Sequence, residues 1–214
     1  MKNPVLSFAL ACVAIFGFNV NASEEENFWK WFQTNEEMLF NFEKDQEVAF
    51  DKLSAALNKV DPNLTFEFSP IREDNKREFV ISAGGIQESF SSVEMLFATA
   101  PNLDNWVFFK FRQRRTPLHD LTYGGVSVKA DDVFYNLYKD GDKLGVVLFF
   151  DGYNESEHVL YASIGFLFLD QAIGEYDVET KLSFIEFHNK TSAHYEGAKP
   201  LKRLSTQFDD YFGG

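Results

Sequence analysis

The chain has 214 residues, 45% of them hydrophobic and 25 of them Phe, with 33 acidic side chains against 20 basic ones and a formal charge of −13. That balance argues against a free-standing nucleic-acid binder, which needs a basic face for phosphates, and against adhesion to anionic lipid. It favours attraction to a basic partner, and a chain of this length buries about 70% of its unfolded surface, so its core needs no disulfide staples.

The first residues read MKNPVLSFALACVAIFGFNVNAS. Lys2 precedes a mostly apolar run, Val5 to Val20, which falls short of the ~20 residues that a membrane span needs. Val20-Asn21-Ala22 has small-residue cleavage character. Residues 1–22 are therefore read as a secretory signal peptide cut after Ala22, with no stable membrane anchor expected after cleavage. Cys12 is the one cysteine. It leaves with the leader, so disulfides, a thiol nucleophile and thiolate-held metal are not expected. The expected address is the periplasm or the secreted medium.

Residues 24–60 carry helical spacing through Phe28, Phe32, Leu39, Phe42, Ala49, Leu53, Leu57 and Val60. A capping box at Thr34-Asn35-Glu36-Glu37 divides a short helix from a longer one, and Asp61-Pro62 stops the second. Phe28, Trp29 and Phe32 share one arc and should pack onto a sheet. Trp31 lies off that arc, near the rim, as a candidate recognition side chain.

Phe66 and Phe68 then alternate with polar residues, Asp74-Asn75-Lys76 supplies a turn, and Glu78 to Ala83 reads as a second strand. A helix follows with Val93, Leu96 and Phe97 at helical spacing and a capping box from Ser91 to Glu94. WVFFKF at 106–111 is a strand. Residues 133–187 repeat this order: the strand VFYNLYK, an Asp-Gly turn, the apolar strand LGVVLFF, the helix SEHVLYASIGFLFLDQAI and the strand LSFIEF. Sliding residues 66–89 onto 133–156 without a gap lays GIQES on GYNES, Val80 on Val147 and Lys76 on Lys143. Gly85 and Gly152 permit the turn out of each strand, and Ser89 and Ser156 are expected to cap the helices that follow.

The fold expected from this pattern is α+β, with duplicated ββαβ units in a ferredoxin-like layering of sheet and helices and an N-terminal helical layer. It forms a single domain over residues 23–214. The helical layer spans 24–60, the first half 64–112, a connector 113–130, the second half 131–188 and a C-terminal tail 189–214. Alternation at Val126, Val128 and Ala130 predicts one short extra strand in the connector.

The stretches LTFEFSPIREDNKREFVISAGG and DQAIGEYDVETKLSFIEF together resemble an uncharacterised bacterial family, a domain of unknown function similar to domains found beside modules that look like regulators of ribonuclease activity. The resemblance covers about residues 28–188. Its matching positions are structural: the first hairpin, Gly84-Gly85, and Gly174-Glu175-Tyr176 before the last strand. It brings no catalytic residue.

Chemistry is sparse. Histidines 119, 158, 188 and 194 show no metal-ligand spacing, and Glu186 with His188 on one strand face reads as a surface pair. No metal or cofactor is expected. There is no nucleophile elbow and no phosphate-binding Gly-Lys loop. Among 33 acids, pairs drawn from Asp131, Asp132, Asp151, Glu155, Glu175, Asp177 and Glu179 carry little specificity as a catalytic couple. Arg112, Arg114 and Arg115 form the one basic cluster. Strand alternation puts Arg112 and Arg114 on one side, where two forks can clamp a single carboxylate. An internal acid such as Asp120 is the first expected partner and an anionic ligand the second. The functional expectation is an exported, non-enzymatic binding or interaction module acting on a basic protein partner. No catalytic residue is assigned, and Arg112, Arg114, Arg115 and Trp31 are the binding candidates. The alternative is a carboxylate-dependent hydrolase of the cell envelope.

Overall fold

The computed structural model describes residues 22–213. The leader expected over residues 1–22, with Lys2 and Cys12, lies outside them save for Ala22. The chain is α+β, and among the described residues no helix is long and apolar enough to cross a membrane.

The N-terminal layer is α1 (Glu24–Thr34), α2 (Glu36–Phe40), a 3-10 turn over Phe42–Lys44 and α3 (Gln46–Leu57). Ser23 caps α1 by accepting from the Glu26 amide at 3.2 Å, and Glu24, Glu25 and Glu26 add favourable charge at that helix end. The capping box expected at Thr34–Glu37 does not form. Thr34 Oγ1 instead donates back to the Lys30 carbonyl at 2.8 Å, a local bond that competes with capping. The layer holds three helices where two were expected, because Asn35 and Asn41 each donate Nδ2 to the carbonyl four residues back, at 2.8 Å, and so close both helix ends.

The first sheet contains β1 (Thr65–Phe68), β2 (Arg77–Ser82) and β3 (Trp106–Lys110) in that spatial order. β1 and β2 run antiparallel; β3 runs parallel to β2 after the crossover helix α4 (Phe90–Ala98). One face of this sheet meets the helical layer in a core of rings. Phe32 lies edge-on to Trp106 at 5.0 Å, and Trp29 to Phe108 at 4.8 Å. Such pairs add about 0.5–1.5 kcal/mol each beyond burial. Trp29 Nε1 is satisfied by the Leu96 carbonyl at 2.8 Å. Arg77 is wholly buried here, held by Ser69 O at 2.7 Å and Glu43 at 2.8 Å, with its guanidinium 4.4 Å from the centre of the Phe42 ring.

The connector forms a hairpin, β4 (Leu121–Tyr123) and β5 (Val126–Val128), where one strand was expected. Gly124 and Gly125, both at positive φ, make the turn that pairs them. Next come β6 (Phe134–Asp140), β7 (Lys143–Phe150), α5 (His158–Ile173), α6 (Glu175–Lys181), β8 (Leu182–Asn189), β9 (Lys199–Pro200) and α7 (Leu204–Phe212). The second sheet has the order β8-β7-β6-β9, with β6 and β7 antiparallel and β7 and β8 parallel. Val133, Tyr135, Val146, Leu148 and Phe150 pack with Ile164 and Phe168 of α5 and with Leu204 and Phe208 of α7 in a second core, separate from the first.

Three expectations are corrected. A helix, α6, stands between α5 and β8 where a direct passage was read. The C-terminal tail is structured: α7 roofs the second core, and Leu201, Leu204 and Phe208 are fully buried. Neither serine caps its helix. Ser89 Oγ accepts from Asn63 Nδ2 at 3.0 Å, and Ser156 Oγ bonds Asn154 Oδ1. Both helices are entered through 3-10 turns, at Gln87–Ser89 and Glu155–Glu157, and Ser91 and Glu94 fall inside α4 rather than at its start.

Gly165 shows how closely α5 sits on the second sheet. A Cβ there falls 2.2 Å from Phe187 Cε1, and Phe187 is itself buried. Gly165→Ala is therefore expected to lose about 1–3 kcal/mol by overpacking, although alanine alone favours a helix by ~1 kcal/mol. Gly145→Ala meets the ring of Phe184, which is 37% exposed and free to swing outward, so it should cost less. Urea unfolding of the two variants decides the order; a stabilised Gly165→Ala would refute the close packing.

Candidate functional site

The first half ends abruptly. Phe111 has φ +59°, a left-handed conformation unusual for an aromatic residue. Its amide still donates to Ile81 O at 2.7 Å and its ring is buried, so the turn is held by core packing. Alternation stops there. Arg112, Arg114 and Arg115 consequently diverge, and the expected two-fork clamp on one carboxylate is not what they make.

Each arginine stitches the halves together separately. Arg112 pairs with Glu67 of β1 through Nε and with Asp170 of α5 at 3.4 Å. Arg114 reaches Asp209 of α7 at 2.8 Å, Asp177 of α6 at 3.0 Å and the Ile173 carbonyl at 2.8 Å. Arg115 pairs with Glu78 of β2 at 3.5 Å, and its amide donates to Gln171 O at 2.7 Å. Asp120, the partner suggested by sequence proximity, accepts from the Ala130 amide instead. Trp31 is half-buried against Phe28, ring centres 6.1 Å apart, at the rim of the first core.

The residue that joins the halves most firmly is Glu175, only 1% exposed. Its Oε1 accepts from Ser82 Oγ at 2.8 Å, Ala83 N at 3.1 Å and Gly85 N at 3.3 Å; its Oε2 accepts from Arg112 N at 2.9 Å. Its own amide donates to Arg112 O at 3.0 Å. Gly174, at φ +87°, delivers it there through a backbone conformation that side chains rarely adopt. Beside this bolt Tyr176 lies against Phe90 and Phe111 at 5.6 and 5.4 Å.

Two clefts flank the junction and share Arg112, Leu167 and Asp170. One, of about 440 Å³, is also lined by Gly84, Gly85, Tyr123, Phe166 and Glu179. Tyr123 and Phe166 stand exposed at its mouth. The other, of about 360 Å³, runs between Glu67 and Val80 on the outer face of the first sheet and Leu167 and Gln171 of α5.

The charges here are unbalanced. Glu67, Asp170 and Glu175 surround one guanidinium, that of Arg112, and Glu179 lies beside Asp170 and Glu175. Burial pushes Asp170 up to about 7; Arg112 opposes this, and Glu175, Glu179 and Glu67 reinforce it. Glu179 is also raised, by burial and then by Glu175. Burial works against the charge on Arg112, yet Glu67, Asp170 and Glu175 hold it above its ordinary value. The arrangement keeps a proton near neutrality inside a cleft whose remaining acids attract cations.

Elsewhere, Glu186 and His188 do pair at 3.2 Å on the surface of β8, with the His194 ring 5.1 Å from His188. Among the described residues no three such side chains are placed to hold a metal ion. Asp170 was not named from the sequence, and Glu175 only among seven acids of little specificity; the one available signal was Asp170 and Gly174-Glu175 interrupting an otherwise apolar and helical stretch. No known protein family, curated protein or solved structure matches the chain.

Proposed function

We propose that the chain is an exported, non-enzymatic binding module, and that the junction cleft receives a basic segment of a protein partner. The observation carrying this reading is the excess of carboxylates around Arg112 at the foot of a cleft with aromatic side chains at its mouth. A lysine or arginine head entering there meets Asp170 and Glu179 in a partly dry setting, where charge-assisted bonds are strongest, while Tyr123 and Phe166 offer ring faces to its stem or charge. The overall charge of −13 supplies long-range attraction. An oligolysine peptide should bind, and more weakly as salt rises from about 50 to about 300 mM. Glu179→Gln should weaken it several-fold, whereas Glu36→Gln on α2, an equal change of charge outside the cleft, should not. Equal losses from both variants would mean diffuse attraction and no site.

A second reading rests on Asp170, a carboxyl that holds its proton near neutrality beside Glu179 in a cleft, as a general acid does. Turnover of an envelope glycan that vanishes in Asp170→Asn, with peptide binding unaffected by Glu179→Gln, would favour the hydrolase.

We also infer that the halves are copies of one ββαβ unit. Supporting this are the shared sequence of an antiparallel hairpin, a helix and a parallel third strand, the 3-10 entry into both helices, and the positive φ at both Gly85 and Gly152.

A further inference from the structure

We propose that the junction is a proton-governed joint: with a proton on Asp170 the two halves are locked together, and its loss lets them part.

The fold makes such a joint available. Each half has its own core, so separation exposes polar stitches and a few rings rather than a continuous interior. Asp170, which is 6% exposed, reaches across the joint to Arg112 at 3.4 Å, beside the bolt that Glu175 makes. From β1 it faces Glu67, and from the segment after β3 it faces Arg112. From α6 it faces Glu175 and Glu179. Tyr123 of β4 lines one side of its cleft, and Arg115, His119 and Asp120 of the connector line the other. Arg115 is engaged by Glu78, so Arg112 is the cation that meets Asp170. On its own helix the neighbour is the uncharged Gln171, which is tied to the connector through the His119 amide at 2.7 Å.

With Asp170 neutral, Arg112 offsets only part of the charge of the three other acids, Glu67, Glu175 and Glu179. With Asp170 ionised, a fourth negative charge sits in the same dry pocket. Parting the halves hydrates that carboxylate and returns it toward the ordinary aspartate value of about 3.9. Between that value and about 7 the closed form keeps a proton that the open form has released. Proton linkage then raises the opening constant by up to about tenfold per pH unit across this window, with no further rise above it. Acid closes the joint and neutral to alkaline conditions loosen it.

Hydrogen exchange reads the joint directly, because the Gly85 and Arg112 amides both donate to Glu175 across it. Their protection factors, corrected for intrinsic exchange, should fall by up to an order of magnitude per unit between about pH 5 and pH 7 and then level off. The Val147 amide in the middle of β7 should not follow them. In Asp170→Asn, which keeps the shape and an acceptor for Arg112, the fall should vanish. In Glu179→Gln, which removes one neighbouring negative charge, it should level off at lower pH. The same profile in Asp170→Asn as in the natural chain, or protection that does not fall with pH, would overturn the proposal. Should Asp170→Asn fail to fold, the direction of the Glu179→Gln shift decides by itself. No ligand enters this experiment, so its failure leaves the binding reading untouched, and absence of peptide binding leaves the joint untouched.

Discussion

Glu175→Ala should lower stability by about 4 kcal/mol and split one unfolding transition into two. The substitution leaves Ser82 Oγ and the amides of Ala83, Gly85 and Arg112 without their acceptor. One unsatisfied buried donor costs about 1–3 kcal/mol. The four losses do not add in full, because the Gly85 contact is long at 3.3 Å and water can enter beside it. Glu175→Gln keeps an acceptor oxygen for part of the set and should cost about 1–2 kcal/mol. Trp29, Trp31 and Trp106 all lie in or against the first core, so indole fluorescence follows that core while circular dichroism follows the whole chain. In the natural chain the two signals should coincide through a urea titration; in Glu175→Ala they should separate. A loss under 1 kcal/mol with coincident signals would mean that Glu175 does not hold the halves together.

Removing residues 201–214 should unfold the second half outright. Leu201, Leu204 and Phe208 have no exposure, and Gln207 accepts from the Tyr135 hydroxyl at 2.9 Å. Burial beneath this roof pushes Tyr135 up to about 12, with Arg203 opposing. Phe208→Ala by itself should cost about 3–5 kcal/mol, and losing the whole helix exceeds the usual net stability of about 5–15 kcal/mol once Tyr135 and Phe168 are bared as well. The shortened chain should bind a hydrophobic dye and lose much of its far-ultraviolet signal. An unfolding midpoint equal to that of the full chain would refute this role for α7.

The succession of hairpin, helix and third strand was legible because its signals are local: alternation at Phe66 and Phe68, the Asp-Gly turn before Lys143, and the unbroken apolar run of β7. α7 was read as a tail, although Leu201, Leu204, Phe208 and Phe212 recur at helical spacing. α6 was not legible. Gly174 ended one helix, as glycine should, and nothing in EYDVETK announces a second turn of chain before β8. The arginine cluster follows β3 as expected, yet its geometry depended on the left-handed Phe111, a conformation the sequence does not disclose because it is imposed by the surrounding core. Glu175 is one acid among 33. What distinguishes it is four donors brought from distant residues, and such convergence exists only in three dimensions.

The two cores are each contiguous in sequence, the first closing with Phe111 and the second opening at Val133. A chain emerging N-terminus first, from a ribosome or through a pore, can therefore complete one globule before the other has begun. Glu175 arrives more than sixty residues after Phe111, so the docking of the halves is the late event. During that interval Ser82, Gly85 and Arg112 stand open to solvent, and a second chain's α6 could engage them in place of the chain's own. Exchange of this element between molecules is thus the characteristic error to look for when the protein is refolded at high concentration.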